Sequence, residues 1–386
     1  MIIKNGSVFT PEGVFKDVNV ITEKDLIKNV DNKLLTSSDD AEFDATGMYV
    51  IPGLTDVHFH GCACQDFCYG TREAIDTIAK FEFTQGVTTI LPTTMTISGE
   101  RLDGICEAAA SYKKEQVNGT VSDETADLVG IHMEGPYISK NKKGAQNEEF
   151  IVPASSSQIR NWIKKSEGLV KLISLAPETG GAIDVIKECA GEVRFSIAHT
   201  ESDYDTAIKA FEAGADHVTH LYNAMPPFTH RAPGVIGAAA DTKKSFVELI
   251  CDGVHIHPAV IRSTFKLFGD DRMVLISDTM EAAGMPDGKY ALGGQDVFVK
   301  GSHATLADGT LAGSVTPLYK CLKNVVEFGI PLESAVKAAT INPCKSVGID
   351  KEYGSIEAGK KARFLVLDKN DLSIKAVIKG QNIYIH

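Results

Sequence analysis

Tyr49-Val50-Ile51-Pro52-Gly53-Leu54-Thr55-Asp56-Val57-His58-Phe59-His60-Gly61 is the stretch from which the fold unrolls. It begins as an apolar, β-branched run, as a buried strand does. It ends in His58 and His60. Side chains two apart on a strand share a face, so a His-x-His pair aims two imidazoles at one point. Converging imidazole nitrogens suit a Zn²⁺- or Fe²⁺-class ion. Alone, the pair reads equally well as two ordinary histidines near a loop, and the rest of the chain has to decide.

Working outward, short apolar runs alternate with longer helix-compatible stretches, which is how β/α units on a parallel sheet read. Strands are expected at 49–57, 87–92, 128–133, 170–176, 194–198, 216–219, 246–251 and 273–277. Helices are expected at 72–85, 99–116, 155–167, 182–189, 203–213 and 258–268. Eight alternations are what a (β/α)8 barrel requires. A Gly-rich segment, 284–309, reads as an inserted hairpin, followed by helices at 314–328 and 331–347. Before residue 52 and after residue 354 the chain is strand-like, with Gly, Pro, Asn and Asp between short pieces. The expected fold class is therefore α/β: a (β/α)8 TIM-like barrel, residues 53–348, with a small β-sandwich domain built from both chain termini, 1–52 and 349–386.

Composition sets the outer bounds. The 386 residues suit one large domain plus a smaller one, and 43% hydrophobic with 23% charged residues is ordinary for a globular chain. No apolar run reaches the ~18 residues a membrane span needs, and the N-terminus lacks the charged-then-apolar pattern of a signal peptide. Eight cysteines without export suit reduced thiols, so a cytoplasmic location is expected. A net charge of -12 argues against nucleic acid as the main partner.

The polar residues at the strand ends carry the chemistry. After the first strand come His58 and His60, and the third ends in Glu134. His199 follows the fifth strand, His220 the sixth and Asp278 the eighth. In a β/α barrel these ends share one face, and that face bears the active site. Six metal-competent residues from five strands would converge there. His132 and His217 alternate with Glu134 and His220 and are expected to support rather than ligate. Cys62, Cys64 and Cys68 lack a matching pair and read as unligated thiols. Trp162 reads as packing on an amphipathic helix.

With these blocks in place the sequence resembles the amidohydrolase superfamily, in particular its branch that deacetylates phosphorylated N-acetyl amino sugars. The resemblance rests on Pro52–Gly61, His132-Met133-Glu134-Gly135-Pro136-Tyr137, Ala198-His199-Thr200, Thr219-His220-Leu221-Tyr222-Asn223-Ala224-Met225, Asp252-Gly253-Val254-His255 and Ser277-Asp278. The blocks run in the family's order over nearly the whole chain. The resemblance implies that Glu134, His199 and His220 hold a principal divalent metal of the Zn or Fe class. His58 and His60, with Glu134 bridging and Asp278 nearby, would hold a second. One or two ions per subunit are implied, and the His-x-His pair favours two.

Asp278 would be the catalytic acid–base group in hydrolysis of the acetamide of N-acetylglucosamine 6-phosphate. Asn223, Ala224, Arg231 and His255 would bind the sugar phosphate. Ala145, Gln146, Leu311, Ala312 and Gly313 would line the sugar pocket. Family members complete the phosphate site from a neighbouring subunit, which implies a homodimer. Two residues depart from the pattern: Gln146 stands where some members have His, and Arg363 where many have Asp. Other readings are a cyclic-amide hydrolase or deaminase on the same barrel, or a scaffold that lost its chemistry. Many cyclic-amide members bridge two metals with a carboxylated lysine, a place that Glu134 fills here. A scaffold should have shed ligands, and all six are present.

Overall fold

Gly53 cuts the opening stretch in two. In the computed structural model, which describes residues 1–31 and 41–385, Met48–Pro52 and Leu54–Asp56 are separate strands in separate sheets. The expected single strand over 49–57 is thereby corrected. Met48–Pro52 pairs antiparallel with Arg363–Asp368 and parallel with Ser7–Phe9. Leu54–Asp56 pairs parallel with Val87–Ile90. The physical cause is at the glycine. A Cβ there would lie 2.2 Å from Thr88 Oγ1 and 2.4 Å from its Cγ2, so only glycine lets the chain pass from one sheet to the other. Gly53→Ala is expected to cost ~1–3 kcal/mol through this overpacking. Urea unfolding measures it, and an unchanged midpoint would refute the account.

Eight parallel strand positions follow Gly53. We label them β1 (Leu54–Asp56), β2 (Val87–Ile90, resuming at Thr93–Thr94), β3 (Asp127–Leu128, resuming at Ile131–Glu134), β4 (Val170–Leu175), β5 (Arg194–Ile197), β6 (His217–Val218), β7 (Phe246–Ile250) and β8 (Met273–Ile276). Successive positions pair in parallel from β1 to β8. The sheet curls, and beyond its last strand the Asp278 N–H donates at 2.9 Å to the carbonyl of His58, which lies beyond the first. Helices pack outside. Arg72–Thr84 is representative: Thr71 caps it by accepting from the Ala74 N–H, and Ile75, Ile78, Ala79 and Phe83 bury its inner face. Trp162 is buried on Ser156–Lys165 and packs against Tyr137, as expected.

The chain's two ends share one six-stranded sheet, in which Phe15–Asp17, Ser7–Phe9 and Met48–Pro52 lie side by side and continue into Arg363–Asp368, Ile374–Lys379 and Asn382–Ile385. A four-stranded sheet of Leu26–Asp31, Asn19–Glu23, Ile2–Lys4 and Glu42–Asp44 lies with it. Met1, Ile3, Val8 and Val20 from one end and Phe364, Val366 and Ile378 from the other form one buried cluster. Residues 32–40 of the expected terminal unit lie outside the described residues, as does 386. The hairpin expected at 284–309 is a three-stranded sheet of Gly288–Leu292, Gln295–Lys300 and His303–Thr305.

Two helix readings need correction. The helix expected at 331–347 is two, Leu332–Ala339 and Ile341–Ser346, broken at Thr340, whose φ of -135° and ψ of -72° leave the helical region. A helix not expected from the sequence, Gly234–Asp241, follows β6. No helix among the described residues is long and apolar enough to cross a membrane.

Candidate active site

At their C-terminal ends the strands turn sharply, and the turns carry the chemistry. His199, His220 and Asp278 all adopt positive φ, at 43°, 28° and 49°. Each costs a non-glycine residue ~1–3 kcal/mol, and such strain gathers where function requires a particular side-chain direction. Here it directs three side chains into one hollow. His58 and His60 lie just past β1 rather than within it, and their rings sit 5.5 Å apart.

Glu134, the last residue of β3, is the hub. Its Oε1 is 3.1 Å from His199 Nε2 and 2.8 Å from His220 Nε2, and those two nitrogens are 3.1 Å apart. His58 Nε2 lies 3.5 Å from Glu134 Oε1 and 3.6 Å from Asp278 Oδ1. His60 Nε2 lies 3.4 Å from Glu134 Oε2 and 3.3 Å from Asp278 Oδ1. Two neighbouring donor sets face the hollow, Glu134–His199–His220 and His58–His60–Asp278, and a third, His58–His132–Glu248, lies behind; all are buried.

The outer nitrogens show which atoms are free to ligate. His58 Nδ1 sits 2.8 Å from Glu248 Oε2, His60 Nδ1 3.2 Å from the Thr93 carbonyl, and His199 Nδ1 2.7 Å from the Lys142 carbonyl. Carbonyls and carboxylates only accept, so each Nδ1 carries a proton, and in the neutral ring each Nε2 has its lone pair free to ligate. His58 Nε2 is buried with no hydrogen-bond partner, although it faces two carboxylates. Lone pairs and carboxylate oxygens packed this closely fit a divalent cation of the nitrogen- and oxygen-binding class.

Protein charges alone balance the hollow only by protonating imidazoles. Burial opposes a charge on His58, yet Glu248, Asp278 and Glu134 outweigh it and push its pKa up to about 9. Burial likewise works against Glu134 and Asp278, and the surrounding histidines hold both below the usual carboxylate range. Bound metal would supply that positive charge instead.

Glu248, in the middle of β7, was not marked by the sequence reading. It is fully buried, accepts from His58 Nδ1 and from the His220 N–H at 3.2 Å, and lies 3.2 Å from His217 Nε2. One carboxylate thus ties β1, β6 and β7 together behind the ligands. A lone acid inside an apolar strand was the available signal. Glu248→Gln is expected to weaken metal affinity about 10–100-fold, read as metal retained after dialysis against a graded chelator; full retention would remove its role. His132 is satisfied on both sides, by the Val57 carbonyl at 3.0 Å and Ser174 Oγ at 2.7 Å, and supports the His58 ring from 4.6 Å away. None of the eight cysteines is paired, and none joins a donor group among the described residues.

Above the hub opens a cavity of about 360 Å³. Ala145, Gln146, Asn223, Ala224, His255, Leu311 and Gly313 line it, with His60, Glu134, His199, His220 and Asp278 at its base. Gln146 Nε2 reaches Glu134 Oε2 at 2.5 Å while its Oε1 accepts from the Thr96 N–H at 2.6 Å. His255 Nδ1 is held by Asp252 Oδ2 at 2.7 Å. Burial disfavours its charge, but Asp252 more than offsets that and raises its pKa. Lys142 also lines the cavity and was not expected; only its place in the loop after β3 pointed to it. Ala312 is buried between its lining neighbours. Arg231 stands apart, on an exposed loop outside the lining.

The amidohydrolase family profile matches residues 49–383, which take in every one of these side chains. The chain belongs to the amidohydrolase family. This amidohydrolase is 33% identical to the N-acetylglucosamine-6-phosphate deacetylase of Bacillus subtilis (strain 168), over 96% of this chain and 97% of that one. It is also 33% identical to the N-acetylgalactosamine-6-phosphate deacetylase of Escherichia coli O157:H7, over 86% of each chain. Among solved structures, it superposes with a TM-score of 0.90 on a Mycobacterium smegmatis N-acetyl-D-glucosamine-6-phosphate deacetylase variant in complex with N-acetyl-D-glucosamine-6-phosphate. That pair is 30% identical and covers 100% of this chain and 99% of that one.

Proposed function

We propose that this amidohydrolase removes the acetyl group from N-acetylglucosamine 6-phosphate, releasing acetate and glucosamine 6-phosphate in amino-sugar catabolism. The observation that carries the reading is the pairing of Glu134 and its four imidazoles, opposite Asp278, with a cavity whose wall bears His255. We assign Glu134, His199 and His220 to a principal metal, and His58, His60 and Asp278, with Glu134 shared, to a second. A divalent ion held there would lower the pKa of a water and polarise an amide carbonyl.

The protein's own groups do the rest. Asp278, kept ionised by its histidine neighbours, takes a proton from the attacking water and returns it to the departing amine. Gln146 fixes the second oxygen of Glu134, its own carbonyl being held by the Thr96 N–H. Ala145, Leu311, Ala312 and Gly313 shape the sugar pocket. Asn223, Ala224 and His255 meet the phosphate, a remote handle that places the amide for attack. Arg231, exposed in one chain, suits a phosphate site completed across a homodimer, in which each loop serves the neighbouring cavity.

We further read the curled sheet as a closed (β/α)8 barrel over 53–348, and the two terminal sheets as a β-sandwich domain of 1–52 and 349–386. Eight unpaired thiols support a cytoplasmic setting. The resemblance to an N-acetylgalactosamine-6-phosphate deacetylase favours one second reading, the same reaction on the epimeric sugar.

The test is acetate release from N-acetylglucosamine 6-phosphate, from its galactose epimer and from unphosphorylated N-acetylglucosamine, each with and without chelator. Chelator is expected to abolish turnover, and loss of the phosphate to raise KM sharply. Faster release from the epimer would transfer the assignment to it. Equal kinetics with and without phosphate would overturn the handle.

A further inference from the structure

A second cavity, of about 550 Å³, opens where the helix Gly99–Val117 and the loop after it meet the terminal sheets. It shares no lining residue with the cavity above Glu134. In a chain of net charge -12, its wall carries five cationic side chains and three carboxylates.

The carboxylates are already committed. Asp127 accepts from Arg363 Nε at 2.8 Å and pairs with Lys379 Nζ at 2.9 Å; the Tyr353 hydroxyl adds a bond at 3.3 Å. Asp25 is shared by Lys361 at 2.9 Å and the Arg363 guanidinium at 3.2 Å. Two acids thus serve three cations. The third, Asp123, accepts from Asn382 at 3.2 Å.

Lys24, exposed to solvent, and Lys113 are left over, and Lys113 is the one shielded from water. It is only partly exposed, lines the cavity from the helix, and makes no hydrogen bond or ion pair among the described residues. Burial pulls its pKa down; Asp127 opposes this, while Lys361 and Lys379 add to it. Shielding an ammonium from water beside other cations is unfavourable unless a counter-charge joins it. A network that was purely structural would have supplied that charge from the chain.

We propose that this cavity is a binding site for a small phosphate-bearing anion, met by Lys113 with Lys361 and Lys379 on either side. A phosphate group brings up to two negative charges and several acceptor oxygens, which match ammonium donors arriving from different directions. The lysines come from the barrel's helix and from the C-terminal segment, so an anion between them would fasten the two together and stabilise the fold by linkage.

The test is equilibrium dialysis of the metal-loaded protein with inorganic phosphate. Wild type is expected to bind at two places, one lost with His255→Gln in the other cavity. Lys113→Gln should weaken the second about tenfold, leave turnover unchanged, and reduce the phosphate-dependent rise in Tm to the part contributed by the His255 cavity; Lys113→Arg should restore both. Lys361→Gln carries the same test should Lys113→Gln fail to fold. Binding at the His255 cavity alone, or a second site indifferent to Lys113 and Lys361, would overturn the proposal. Malonate is the parallel probe: if it binds the second site and phosphate does not, the phosphate assignment is wrong.

Discussion

Asp278→Asn is expected to lower kcat by about 10²–10⁴-fold while KM for the sugar phosphate stays within a few-fold. Asparagine has the same shape, so the sharp turn at φ 49° and the N–H bond to the His58 carbonyl should survive. What disappears is the acceptor that takes a proton from water and gives it to the leaving amine. The substrate's phosphate end and sugar pocket do not involve this side chain, which is why binding should persist. Steady-state kinetics with a measured metal content decides the matter. Near-normal turnover with metal retained would take Asp278 out of proton transfer.

The second large effect concerns the hub. Glu134→Gln is expected to lose bound metal by more than the ~10–100-fold typical of an outer-shell change, with turnover falling in step. Glu134 is the carboxylate common to His58, His60, His199 and His220. An amide in its place removes the negative charge and turns an NH₂ toward lone pairs or toward Gln146. Metal analysis after gel filtration, with kcat on the same samples, reads the outcome. Full metal occupancy in this variant would move the principal ligand elsewhere.

The strand-end pattern was legible because five of the eight short apolar runs are followed at once by the six metal-competent residues. That signal is local, so His58, His60, Glu134, His199, His220 and Asp278 could all be found in the sequence. The break at Gly53 was less visible, since apolar residues flank it on both sides; Pro52-Gly53 was the available turn signal. Gly234–Asp241 escaped notice because it is almost wholly buried and lacks the amphipathic period that announces a helix. Glu248 could not be placed from spacing, for its partner His58 is 190 residues away. Arg231 illustrates the reverse. Its loop was conspicuous, but composition does not say whether a loop side chain reaches the cavity, and this one lies outside the lining.

The shared terminal sheet also has a consequence for synthesis. Val50 pairs with Val366, so the strand Met48–Pro52, just ahead of β1, waits for a partner made roughly 300 residues later. At ~5–20 residues per second the ribosome needs on the order of tens of seconds to make that partner. During that interval the nascent chain holds the first metal-side histidines but lacks the sheet that anchors them from behind. The last-made strands are therefore what lock the first-made half of the site, and assembly of this enzyme ends where its chain begins.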